Sequence, residues 1–234
     1  MTLLFWVASA NAQVSAVQTR DVRIERSLIE RTRMGVAIVL AGDGSGSGFF
    51  VRFRDQIVCI TNWHVIRGAL DVPSSGQVRQ VAPVIVQPAD GQRIPAFIWK
   101  SSPRQDLAIF TLNFVPRDVR PLEMQEVLPP DGSAVFVWGA PYGESLVPLD
   151  GQMSRASGRQ SGLVEINISI APGSSGGPLL TPSGFVIGVV SQRSEGTGGT
   201  FSGRGYAISA RNFWPHMLRT FEDPPRANPA GLPQ

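Results

Sequence analysis

The sequence predicts an all-β protein built in two halves. Short β-branched and aromatic runs begin at Val36, turn residues separate them at close intervals, and a proline-bearing stretch from Pro116 to Pro130 divides them into two series. Glycine and proline supply 25 and 19 of the 234 residues, punctuation that suits short strands and turns better than a helical bundle.

The first series reads VAIVL (36–40), FFVRF (49–53), QIVCI (56–60), VAPVIVQ (81–87), IPAFIWK (94–100) and LAIFTL (107–112). Gly42 to Gly48, Arg54-Asp55, Ser74-Ser75-Gly76, Asp90-Gly91 and Ser102-Pro103 read as the turns between them. The second series reads AVFVWG (134–139), QMSRASG (152–158), LVEINISI (163–170), FVIGVV (185–190) and GYAIS (205–209). Residues 210–221, ARNFWPHMLRTF, place apolar residues near helical spacing, with Pro215 in the first turn where proline is tolerated. The expected organisation is a remnant signal peptide at 1–12, a lead segment at 13–33 with a short helix over a barrel mouth, a first unit at 34–118, a linker at 119–130, a second unit with its closing helix at 131–221, and a disordered tail at 222–234. An apolar run followed by Ala10-Asn11-Ala12 resembles a secretory signal, short and without a basic start, so export to the periplasm or beyond is expected.

Composition excludes several classes. The net charge is +3 and the arginines are scattered among acids, which is no nucleic-acid footprint. No segment approaches the length of a membrane span. One cysteine, Cys59, forbids an internal disulfide, and two histidines leave too few ligands for a Cys/His zinc site, so neither metal nor cofactor is expected. Any imidazole chemistry falls to His64 or His216, and His216 beside Pro215 reads as a structural histidine. The glycine run 42–48 is no phosphate loop, because neither a helix nor Gly-Lys-Ser/Thr follows it.

Three segments carry chemistry. In Pro172-Gly173-Ser174-Ser175-Gly176-Gly177-Pro178 the glycines permit a tight loop that aims successive N–H groups at one point beside the Ser175 hydroxyl. A serine needs an adjacent base, and an apolar strand ends at His64 in Thr61-Asn62-Trp63-His64. Asp106 opens another apolar strand, where a carboxylate can fix an imidazole tautomer. Each segment alone has an ordinary reading as a turn, a packed histidine or a strand-edge acid. Together, in the order His64, Asp106, Ser175, they match one triad arrangement and differ from the others in use. The first two residues lie in the first series and the serine in the second, which puts the site in a cleft between the two units.

Over residues 34–221 the chain resembles the trypsin-like serine proteases, and most of all the bacterial HtrA/Deg protease domain. The matching pieces are GSGSGFFV (44–51), ITNWHVI (60–66), RQDLAIF (104–110), WGAPYG (138–143), APGSSGGPLL (171–180), GFVIGVVSQ (184–192) and GYAIS (205–209). The resemblance implies two six-stranded antiparallel β-barrels with a C-terminal helix. It implies a serine endopeptidase in which Ser175 is the nucleophile, His64 the base and Asp106 its orienting acid, with the N–H groups of Gly173 and Ser175 as oxyanion hole. Ser169, Val190, Ser191 and Gln192 would bind substrate. The pocket stretches 168–174, 189–193 and 203–207 contain no acid, so cleavage after small to medium apolar residues is expected. Ser174 stands where digestive relatives have an aspartate, so no activation cleavage is implied. The partners implied are peptide substrates; the resemblance also admits an oligomer, though residues 14–33 carry no decisive trimer signature. A catalytically inactive peptide-binding module of the same fold is the competing reading, and the intact triad positions argue against it.

Overall fold

The computed structural model of the chain describes residues 25–72, 78–155, 162–191 and 204–225. The signal-like segment 1–12, Gln192 and the end of the tail lie outside the described residues. A helix α1 (Arg26–Arg33) precedes strands β1 (Val36–Ala41), β2 (Gly44–Phe53) and β3 (Gln56–Thr61) and the one-turn helix α2 (Trp63–Ile66). The short strands β4 (Leu70–Asp71) and β5 (Arg79–Gln80) pair with each other, and β6 (Val84–Pro88), β7 (Ile94–Ser102) and β8 (Leu107–Leu112) complete the first unit. The second contains β9 (Ala134–Gly139), β10 (Val147–Arg155), β11 (Leu163–Ile166), β12 (Pro178–Leu180), β13 (Val186–Val190) and β14 (Gly205–Ser209), closed by α3 (Trp214–Thr220). Each unit is a closed antiparallel barrel of six strands, in the orders β1-β2-β3-β8-β7-β6 and β10-β11-β14-β13-β12-β9. That is the architecture the resemblance implied.

The unbroken apolar runs have a simple cause. Side chains alternate between the two faces of a strand, and here both faces are covered. On β2, Phe50 enters the first barrel's interior with Ala37, Val39, Cys59 and Phe110. Its neighbours Phe49, Val51 and Phe53 enter a second core shared between the barrels. On β9, Val135 and Val137 fill the second barrel while Phe136 and Trp138 join the shared core. The shared core also takes Leu28 of α1 and Trp214 and Met217 of α3, so both helices act as plugs over the joint. The segment expected as a linker bridges as well: Leu122 N–H donates to Phe50 O at 2.8 Å and Gln125 N–H to Val186 O at 2.8 Å. No described helix is long and apolar enough to cross a membrane.

Five local details differ from the sequence expectation. Gly44–Gly48 is the start of β2 and no turn; a Cβ at Gly46 would sit 2.6 Å from the Val65 side chain and 3.0 Å from Ser175 O, so close packing of another element explains the glycines. β10 begins at Val147, upstream of the expected 152, because six cross-strand pairs to β9 override Pro148 and Asp150. β11 stops at Ile166, where Asn167 Oδ1 takes the Gln152 N–H and the chain departs into the 167–177 loop. The three-residue β12 had no legible alternation. The tail is held as far as Pro225's neighbour: Arg54 pairs with Asp223 and donates to Phe221 O at 2.8 Å, and Gln56 donates to Pro224 O at 2.7 Å.

Candidate active site

His64 stands on α2, immediately after β3 delivers Thr61 and Asn62 to the end of the first barrel. Asp106 precedes β8, the strand beside β3. It adopts φ +54°, a left-handed conformation that aspartate tolerates better than most residues. Its N–H donates to Pro103 O at 3.3 Å and its carbonyl accepts from Asn62 Nδ2 at 2.9 Å. This twist turns the carboxylate back onto His64. The His64 N–H reaches Oδ1 at 3.0 Å, and Nδ1 lies 3.0 Å from Oδ1 and 2.9 Å from Oδ2. An ionised carboxylate only accepts, so Nδ1 carries a hydrogen directed at Asp106 and Nε2 is the ring nitrogen left facing away from the acid. The His64 side chain is 40% exposed and that of Asp106 15%, which leaves the ring open to a visitor and the acid shielded.

Ser191 donates its hydroxyl to Asp106 Oδ2 at 2.8 Å. The sequence assigned Ser191 to substrate binding; the structure places its side chain on the acid. Burial on its own pushes the Asp106 carboxyl up, but the His64 ring and amide and the Ser191 hydroxyl outweigh it and hold it below the ordinary carboxylate value. Beside this pair opens a cavity of about 310 Å³ lined by Gln105, Asp106, Leu107, Leu163, Ser191, Ile208 and Phe213.

Ser175 comes from the second barrel, in the loop between β11 and β12. Gly173 and Gly176 have φ of +92° and +89°, and a Cβ on either would strike backbone atoms, Ala140 O at the first and Ser47 O at the second. Only glycine fits there. Gly176 N–H donates to Val190 O and Val190 N–H to Gly177 O, each at 2.8 Å, so the loop is laced to the end of β13, which Ser191 follows. Gly46 packs between Val65, the neighbour of His64, and Ser175 O. Val65 and the Ser175 carbonyl thus approach the same glycine, while Ser191 of the second barrel reaches Asp106 of the first. Pro172 O accepts from Tyr142 N–H at 2.8 Å, which turns the Gly173 N–H the opposite way, and that N–H has no backbone acceptor among the described residues. Ser174 is fully buried and its hydroxyl has no partner among the described residues.

The remaining assignments fall as follows. Ser169 is exposed between the buried Ile168 and Ile170, and Val190 is buried. His216 sits on α3 with its ring 5.9 Å from that of Phe221. Burial pushes the Cys59 thiol far up, so it is no nucleophile. Sequence reasoning missed Ser47 and Asn62, both buried polar residues that hold the site. The signal existed: both lie within the quoted segments GSGSGFFV and ITNWHVI.

A barrel pair with such a cleft is found in many known proteins. The trypsin-like peptidase domain matches residues 46–189, and the chain belongs to that family. It is 31% identical over 177 residues to Protease Do-like 1, chloroplastic, of Arabidopsis thaliana, covering 70% of this chain and 36% of the relative. It is 30% identical over 172 residues to the probable periplasmic serine endoprotease DegP-like of Marinomonas, covering 71% of this chain and 33% of the relative. The chain thus spans about a third of the length of these curated relatives. Among solved structures, the inactive form of the Rv3671c protease of M. tuberculosis superposes with a TM-score of 0.65 at 21% identity, covering 85% of this chain and 95% of the other, a likeness of fold.

Proposed function

We propose that the chain is a serine endopeptidase. The observation that carries this reading is the His64–Asp106–Ser191 hydrogen-bonded set beside the glycine-shaped Ser175 loop. Ser175 Oγ attacks the substrate carbonyl while His64 Nε2 takes its proton. The carbonyl oxygen, now an oxyanion, is met by the N–H groups of Gly173 and Ser175. His64 then gives the proton to the leaving amine as the C–N bond breaks. Water, deprotonated by the same nitrogen, hydrolyses the acyl-enzyme and returns Ser175. Asp106 stays ionised throughout and holds the ring.

The specificity reading is finer. Residues 189–193 would take the substrate as an added strand. Ile168, Ile170 and Val190 belong to one buried apolar cluster, and with no acid in the pocket stretches a substrate lysine or arginine would lose its hydration without gaining a partner. Small to medium apolar side chains therefore fit best before the scissile bond. The DegP-like relative is named periplasmic, which together with the leader-like start supports export.

A fluorophosphonate probe tests the reading directly. Covalent labelling of the wild-type chain, lost in Ser175→Ala, is expected, together with cleavage of a peptide library after apolar residues. Ser169→Asp should shift preference toward Arg or Lys by about tenfold or more. A wild-type chain that neither labels nor cleaves, yet binds peptides, would make this an inactive binding module.

A further inference from the structure

Ser47 lies in the middle of β2, opposite Ile38 of β1, and is completely buried. It belongs to the first barrel, yet most of its hydrogen bonds leave that barrel. Its hydroxyl donates to Gly173 O at 2.8 Å and accepts the Ala140 N–H at 2.8 Å. Its own N–H donates to Ser175 O at 2.8 Å. Its carbonyl accepts from Thr61 Oγ1 at 2.6 Å. Every polar group of this residue is thus engaged, and its N–H and hydroxyl together reach three points on the loops around the nucleophile.

We propose that Ser47 is a positioning residue for the oxyanion hole, a role that rests on the peptidase reading above. A trans peptide points its N–H opposite its carbonyl, so the aim of the Gly173 N–H is set by Pro172 O, and Pro172 O is held by Tyr142 N–H. Tyr142 belongs to the same turn as Ala140, whose N–H rests on the Ser47 hydroxyl. One oxygen therefore fastens that turn from one side and the Gly173 carbonyl from the other. Glycine at 173 resists rotation less than any other residue, so the aim of its N–H depends on such external anchors. Without the hydroxyl, the buried Ala140 N–H and the half-buried Gly173 C=O lose their partner together, and the cheapest relief is rotation of the loop around Gly173. The oxyanion exists only in the reacting state, so the loss falls on the chemical step and spares ground-state binding.

The test compares wild type, Ser47→Ala and Ser47→Cys, the last keeping a weak donor of similar size. On a peptide amide, Ser47→Ala should lower kcat by roughly 10- to 100-fold, less than deletion of a whole oxyanion donor, with KM within about twofold of wild type. Ser47→Cys should fall between the two. The midpoint of the pH–rate profile should not move, because His64 and Asp106 are untouched. A kcat within about twofold of wild type, or a loss expressed in KM, overturns the proposal. Backbone 15N relaxation at Gly173 and Ser174 gives a second arm that needs no turnover. Those amides should lose order in Ser47→Ala, or in Ser47→Cys should the alanine variant fail to fold, while amides of β8 stay unchanged. Unchanged relaxation at Gly173 refutes the clamp. A wild-type chain inert to both peptides and fluorophosphonate removes the peptidase reading and leaves this second arm to decide the clamp.

Discussion

The two barrels share a strand count and a closed antiparallel order, but they offer different things to the cleft between them. The first offers side chains: His64 and Asp106 face each other across neighbouring strand ends, joined at 2.9 Å. The second offers main chain: a loop whose glycines at 173 and 176 set the direction of its N–H groups, with Ser175 between them. The difference teaches how a site can be divided. Under the proposed peptidase reading, acid–base chemistry draws on the residue types of the first barrel, and stabilisation of an oxyanion draws on the backbone geometry of the second. Ser191 and Ser47 tie the halves, one from each side.

The largest expected effects break the side-chain half or its serine partner. Ser175→Ala and His64→Ala should each lower kcat by roughly 10⁴- to 10⁶-fold, and the double variant should lose little more than either single one. Additive losses in the double variant would show that the two do not act as a unit. Asp106→Asn should cost about 10⁴-fold in kcat while near-ultraviolet circular dichroism stays native.

Breaking the main-chain half should damage fold and activity together. Gly176→Ala adds a Cβ against Ser47 O at a φ that L residues rarely adopt. Strain and overpacking should cost about 2–5 kcal/mol in urea unfolding, and a well-folded, fully active Gly176→Ala would disprove the geometric role given to this loop.

The contrast sharpens with pH. The Asp106 value is depressed in the folded chain, so its contribution is present above the unfolded value of about 3.9 and is lost as pH falls through the depressed folded value. The stability gap between wild type and Asp106→Asn should therefore shrink as pH falls below about 4. A gap that keeps widening below about pH 4 would contradict the shift.

Smaller effects lie outside the cleft. Thr32→Val removes the acceptor for Trp138 Nε1, at 2.9 Å, and should cost about 1–2 kcal/mol by thermal denaturation while leaving KM unchanged. Arg26→Ala breaks only the exposed pair with Glu30 and should change stability by about 0.5 kcal/mol or less.

What the sequence determined by itself follows from residue type and alternation. Runs such as LAIFTL, AVFVWG and GYAIS became strands with the expected bounds, because every face of those strands is covered and apolar character alone marks them. His64, Asp106 and Ser175 could be singled out because their chemistry has few substitutes and their order along the chain is informative, and the structure pairs the first two. Tertiary structure alone decided the rest. That Gly44–Gly48 is strand, that β10 starts at Val147 and that β12 exists depend on pairing with partner strands, which overrides local propensity. Ser191 turned to the acid and Ser47 to the nucleophile loop for the same reason. A serine's hydroxyl carries no mark of its partner until the fold brings one within 2.8 Å.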